Sequence, residues 1–268
     1  MKNIFLPINY LGYLLKAKGA HRIHSPFVYE LYNKVIKDSQ DYYEFAPIEH
    51  LRKRLLHSKE VIEAVDFGAG TPRPPKGGTK DNITLKKVKD ITRKSSIPEK
   101  EGRFLFRLVN FMQPRNMIEM GTSLGISTLY QYKGCPEAEM ITMEGSRATS
   151  VLAGINFRIL KADSIKRVVG NFDETLPDVI KSLSYVDYVF FDGNHRKEAT
   201  ISYFNKFLLL ASPTCVFVFD DIRWSAEMQE AWKEIIKEPS AKITVDLFSI
   251  GLVFFNPEKE KQHFVLRY

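Results

Sequence analysis

The chain has 268 residues, enough for one large domain or a domain with a substantial appendage. Apolar residues make up 44% and charged residues 26%, ordinary values for a soluble globular protein, and the formal charge of +7 permits an acidic partner without requiring one. Cys135 and Cys215 are too few and too far apart for a disulfide framework or a zinc site.

The first fifteen residues, Met1 to Leu15, look faintly like a signal peptide, but Pro7, Asn9 and Gly12 interrupt the apolar run. Lys16-Ala-Lys18 stands where small cleavage-site residues belong, so the segment reads as a folded element of a cytoplasmic protein. No apolar run approaches the roughly 20 residues needed to cross a bilayer, and no membrane partner is expected. Ser25-Pro26 predicts a helix to about Lys37 with Phe27, Leu31 and Val35 on one face. A second helix is expected over Pro47–His57, with Ile48, Leu51 and Leu55 inward.

Val65-Asp-Phe-Gly-Ala-Gly70 resembles a glycine-rich nucleotide loop, but the three prolines and two glycines of Thr71–Gly78 forbid a helix after it. It is rejected as the main site, and residues 71–82 read as a mobile basic loop, either a segment that closes over a site or, the favoured reading, a solvated linker. Ten Lys and Arg lie between Pro72 and Phe104, opposed by only four acids. Leu85–Ser95 and Pro98–Met112 read as helices, the second apolar enough to pack on a sheet through Phe104, Leu105, Leu108, Val109 and Met112.

From Asn116 the pattern becomes regular. Strands are predicted at Met117–Met120, Met140–Met143, Arg167–Gly170, Val186–Phe191 and Cys215–Phe219. Helices are predicted at Leu124–Tyr132, Arg147–Lys161, Glu174–Leu183, Lys197–Ala211 and Ser225–Lys237. Such alternation indicates an α/β, Rossmann-like doubly wound parallel sheet. Lys242–Phe255 then forms two strands around a tight turn at Ser249-Ile-Gly251, which only an antiparallel hairpin satisfies. Residues 1–115 are accordingly expected to be a mainly helical N-terminal cap or extension, and residues 116–268 the ligand-binding domain.

Ligands of such sheets bind beyond the carboxyl ends of the strands. The first strand ends in Glu119-Met-Gly121-Thr122-Ser123-Leu-Gly125, a glycine turn leading into a helix whose free N–H groups face a ligand. Glu119 accepts from hydroxyls or an amine but repels phosphate, which favours S-adenosylmethionine over a dinucleotide. The second strand ends at Glu144-Gly145, placed to accept from ribose hydroxyls. The third ends in Gly170-Asn171-Phe172, where Asn171 suits an adenine edge and Phe172 suits either stacking or core packing. Strands four and five end in Asp192-Gly-Asn-His195 and Asp220-Asp221. Three carboxylates at neighbouring strand ends suit Mg²⁺, with Asp221 as a helix cap the competing reading. His195 is the candidate general base, its ordinary pKa near 6.5 suiting proton removal at neutral pH. Trp224, Met228 and Trp232, four residues apart, read as a helix's buried stripe.

Glu119-Met-Gly-Thr-Ser-Leu-Gly-Ile-Ser127, Glu144, Asp192-Gly-Asn-His195 and Asp220-Asp221 together resemble the successive motifs of class I S-adenosylmethionine-dependent methyltransferases. The resemblance, over Asn116 to about Pro257, is closest to the small-molecule O-methyltransferases of catechol, caffeoyl-CoA and macrolide or aminocoumarin sugars. It implies a seven-stranded sheet with a terminal antiparallel hairpin. It also implies that Glu119, Gly121, Ser123 and the turn hold the cofactor's methionine part, that Glu144 holds its ribose, and that Asp192, Asp220 and Asp221 hold Mg²⁺ in the metal-dependent members. Asn194 stands where the sugar enzymes have their presumed Asp base, so either His195 takes the proton in its place or the activity differs. A small-molecule acceptor is expected. A nucleic-acid acceptor is less favoured, since Asp220-Asp-Ile-Arg223 is not the Asn/Asp-Pro-Pro-aromatic motif of the amino-methylating enzymes. A non-catalytic cofactor-binding scaffold is the third reading.

Overall fold

Helix boundaries follow local chemistry before any packing is considered. The computed structural model describes residues 2–65 and 83–268. In it α1 spans Lys2–Lys16 and α2 spans Pro26–Leu31, where Ser25 Oγ accepts from the Val28 N–H. A π-helical turn, Tyr32–Ile36, carries α2 on to the end expected for it and buries Tyr32, Val35 and Ile36. Next comes α3, Phe45–Leu56, with Ile48, Leu51 and Leu55 inward as the spacing requires.

The next elements revise the sequence reading. Strand β1, Val61–Val65, pairs antiparallel with β2, Ile83–Lys87, so that Val61 faces Lys87 and Val65 faces Ile83. Leu85–Lys87, expected as a first helical turn, lies in that ribbon, and α4 covers only Val88–Ser95. The Ile-Thr-Leu run favours a strand once a partner is available, and the partner is remote in sequence. The nucleotide-loop decoy at Asp66–Gly70 and the basic loop of residues 71–82 lie outside the described residues. Helix α5 is Glu99–Met112.

The remaining order is β3 (Asn116–Met120), α6 (Ile126–Gly134), β4 (Glu139–Glu144), α7 (Arg147–Ile159), β5 (Lys166–Val169) and α8 (Phe172–Ser182). It continues with β6 (Val186–Phe191), α9 (Lys197–Leu208), β7 (Ala211–Phe219), α10 (Ala226–Lys237), β8 (Ile243–Asp246), β9 (Gly251–Phe254) and β10 (Gln262–Val265). The chain divides into two compact units, Ser39–Ser182 and Met1–Asp38 with Leu183–Tyr268. The N-terminal third is therefore shared between them.

In the unit Ser39–Ser182, β3, β4 and β5 are parallel neighbours, in register from Asn116 opposite Glu139 and Ile141 opposite Lys166. Helices α3 and α5 support α6. A Cβ on Gly102 of α5 would lie 2.5 Å from the Tyr130 ring, and the Tyr130 hydroxyl donates to Glu49 Oε1 of α3 at 2.6 Å. Only glycine lets α5 come so close to α6.

In the other unit β6 and β7 are parallel, while β9 pairs antiparallel with both β7 and β8. All six residues of β6 are buried, as a strand covered on both faces demands. The hairpin is the one expected, and β3 to β9 supply the seven strands of the resemblance. Strand β10, parallel to β8, is an addition; its four residues Gln262-His-Phe-Val265, two polar then two apolar, carry no strand period to read alone. Among the described residues no helix is long and apolar enough to cross a membrane.

Candidate functional site

The turn from β3 to α6 owes its shape to backbone conformation. Gly121 (φ 112°), Ser123 (φ 47°) and Gly125 (φ 83°) all lie in the left-handed region, an unusual concentration in five residues. At Gly125 a Cβ would also stand 2.4 Å from Phe157 Cε1. The N–H groups of Gly121 and Thr122 both donate to Met143 O, which ties the turn to the end of β4. Gly125 caps α6 without a side chain, so no side-chain acceptor from its cap meets the N–H groups of the first helical turn.

Glu119 faces inward. Its residue is fully buried, Oε1 accepts from Ser127 Oγ and Gln131 Nε2, and Oε2 accepts from Thr128 Oγ1 and Thr142 Oγ1. The bonds from Ser127, Gln131 and Thr142 are each 2.7 Å. Burial pushes the carboxyl pKa up, and the hydrogen bonds pull it back down. Four donors match the roughly four lone-pair sites of a carboxylate. This revises the reading of Glu119 as a ligand contact: its acceptor capacity is occupied within the protein, where it fastens α6 to β3 and β4.

Glu144 is the acid that stands beside the turn. Its Oε2 accepts from the Ser123 N–H and its Oε1 from the Ser146 N–H, both at 2.8 Å, so two backbone groups orient the carboxylate. Gly145 separates it from Ser146, whose Oγ caps α7 by accepting from the Thr149 N–H and also receives the Val65 N–H at the end of β1. Gly170 N–H donates to Glu144 O, bringing the start of α8 alongside. There Asn171 Oδ1 accepts from the Asp173 N–H at 3.1 Å, a helix-capping bond, and Phe172 is half-buried. Thus Glu119, Gly121, Thr122, Ser123, Gly125, Glu144, Gly145, Asn171 and Phe172 all belong to one unit.

Asp192, His195, Asp220 and Asp221 belong to the other. Phe191 and Phe219 stack with centroids 4.4 Å apart, and the Asp220 N–H donates to Phe191 O at 3.0 Å, so the two strands end together. Asp221 then takes a left-handed conformation (φ 54°), and its carbonyl accepts from the Trp224 N–H. His195 Nε2 lies 3.7 Å from Asp192 Oδ1, and its ring centre lies 5.9 Å from that of Trp224. Burial lowers the His195 pKa, with the Asp221 carboxylate pulling it back up; burial raises the Asp221 pKa, with His195 opposing. Asn194 (φ 52°) donates to the Tyr203 hydroxyl at 3.2 Å. Among the described residues no group of three or more His, Cys, Asp or Glu is spaced to hold a metal ion.

Two contributors were not read from sequence. Trp224 is 42% exposed, outside the buried stripe to which it was assigned, whereas Met228 and Trp232 are buried in α10. The sign was Ser225, whose Oγ caps α10 and so leaves Trp224 before the helix. Arg223 forms a bidentate pair with buried Asp246 at 2.6 and 2.5 Å and donates to Phe248 O at 3.0 Å, clamping the Asp220–Asp221 loop to the β8–β9 hairpin.

Residues 118–222 match the family model described as a methyltransferase domain. A curated relative, a catechol O-methyltransferase of Mycobacterium tuberculosis, is 30% identical over 129 residues, covering 47% of this chain and 57% of its own length. The chain thus spans little more than half the length of that relative. Among solved structures, an O-methyltransferase from Bacillus cereus in complex with S-adenosylhomocysteine covers 95% of this chain and 100% of its own (TM-score 0.56, 15% identity). The O-methyltransferase TomG from Streptomyces achromogenes, in complex with S-adenosylmethionine, covers 60% of this chain and 82% of its own (TM-score 0.51, 20% identity). The α/β fold of these O-methyltransferase structures, expected from the alternation of strands and helices after Asn116, is the fold observed.

Proposed function

We propose that this chain, whose residues 118–222 match a methyltransferase domain, transfers a methyl group from S-adenosylmethionine to a hydroxyl of a small molecule. The observation that carries the reading is Glu144, held by the Ser123 and Ser146 N–H groups beside a turn of three left-handed residues. The turn and the first N–H groups of α6 suit the cofactor's methionine part, Glu144 its ribose, and the Asn171-Phe172 start of α8 its base. Glu119 acts from behind as a positioning residue. Residues 116–268 are read as the methyltransferase domain and residues 1–115 as the extension that completes it.

The cofactor supplies a methyl carbon already activated by a positive sulfur, and the bonding pair stays with sulfur when the acceptor oxygen takes the methyl. The protein's tasks are alignment and removal of the hydroxyl proton. His195 is the candidate to take that proton, and burial, which lowers its pKa, favours the neutral ring a base requires. Mg²⁺ would need Asp192, Asp220 and Asp221 to share one ion, and among the described residues no group spaced to hold a metal ion is found. A catechol is the first acceptor to try, since the Mycobacterium relative is named for one.

Calorimetry with S-adenosylmethionine and S-adenosylhomocysteine tests the reading. Binding of both is expected, with a loss of roughly tenfold or more in Glu144→Ala, the size of one or two charge-assisted hydrogen bonds. Failure of the native chain to bind either would sink it.

A further inference from the structure

We infer that the outward face of α1 is a docking surface for an anionic lipid bilayer, with the helix lying on the membrane and not through it. The inner face of α1 is firmly held. Tyr13 is buried, its hydroxyl donates to Leu266 O and accepts from the Tyr268 N–H, and its ring centre lies 5.3 Å from that of Phe248. Tyr10 packs edge-on against Phe248 at 4.9 Å, and Lys18 bridges Leu266. On the other side Leu11 is 63% exposed and Leu15, one turn on, is 90% exposed. An exposed large apolar residue is unremarkable singly; two in line on a helix anchored along its opposite face are not. In sequence, Ile4 and Ile8 continue the same spacing.

Charge selects the occupant. Residues 1–29 contain Lys2, Lys16, Lys18 and Arg22 and not one acid, and Lys16, Lys18 and Arg22 are exposed. A second copy of the helix would bring a second set of basic residues and no acid against the first, and like charges repel. An anionic bilayer accepts the leucines among its chains and the basic residues at its headgroups. Fifteen residues make a helix about 22 Å long, short of the roughly 30 Å hydrocarbon core, so the helix lies in the interface.

The experiment is co-sedimentation of the full chain with phosphatidylcholine vesicles, with and without phosphatidylglycerol. Binding is expected to the anionic vesicles, weakening as salt rises, and to fall roughly tenfold or more in Leu11→Gln/Leu15→Gln. Lys16→Gln/Lys18→Gln should erode the preference for phosphatidylglycerol. The leucine variant should melt with the native chain, because both side chains point to solvent; a large drop would show them packed and overturn the proposal. So would absence of binding to either vesicle, or binding indifferent to the leucines. Self-association of the native chain that Leu11→Gln/Leu15→Gln abolishes would assign the face to a second copy instead.

Discussion

Glu119→Gln separates a carboxylate that holds the fold from one that holds the ligand. The amide keeps the shape and turns one acceptor into a donor. On the Oε1 side its NH₂ would meet the Gln131 NH₂ unless that amide turns over, so with Gln131 as it stands it faces Thr128 and Thr142. Those hydroxyls can rotate to accept, but Thr142 is also paired with Thr122 at 2.6 Å, so the rearrangement is incomplete. Hydrogen bonds to a charged group contribute about 1.5–3 kcal/mol each, and removing a buried charge returns part of that. A net loss of about 2 kcal/mol follows, a fall of roughly 4–8 °C in melting temperature for a chain of this size. The assay is thermal unfolding by circular dichroism without cofactor, paired with calorimetric binding of S-adenosylmethionine. Glu119→Ala, which leaves all four donors without an acceptor, should lose more. An unchanged melting temperature in Glu119→Gln together with abolished binding would refute the assignment and return Glu119 to the ligand.

Gly125→Ala should cost about 2 kcal/mol or more in urea unfolding, because a left-handed alanine is strained and its Cβ would strike Phe157 at 2.4 Å. Arg223→Gln, which leaves Asp246 buried without its partner, should cost about 3 kcal/mol by the same measurement and reduce turnover by loosening the Asp220–Asp221 loop. A base must be neutral to accept a proton, so kcat/KM should rise with pH through the His195 pKa, centred below the ordinary 6.5 because burial lowers it. Asp221→Asn, by removing the carboxylate that raises that pKa, should move the limb lower still; a limb centred above 6.5 in the native enzyme would remove His195 from the role. Turnover should survive EDTA, and its loss would show the three aspartates gathering around an ion after all.

The alternation of strands and helices after Asn116 was legible because the elements carry their own periods, and α7 and α10 their serine caps. Ser25 begins α2 and the apolar run of Val186–Phe191 is β6 to the residue. The β1–β2 ribbon was not legible, since Val61 and Leu85 are exposed and neither strand has a reason to be extended except the other, across residues 66–82. Glu119 is the instructive case. An acid two residues before a turn glycine can face the ligand or the core, and the turn itself does not say which. The answer lay in the helix that follows: Ser127, Thr128 and Gln131 fall within one and a half turns of α6, where Ile126, Leu129, Tyr130 and Tyr132 are all buried. Three polar side chains on a buried helix need a buried acceptor. With Thr142 on the adjacent strand they make a donor set that only an inward carboxylate satisfies, and Glu119 is the one within reach. Glu144, by contrast, ends its strand where the Ser123 and Ser146 N–H groups orient it, and that is why the ribose contact is expected there.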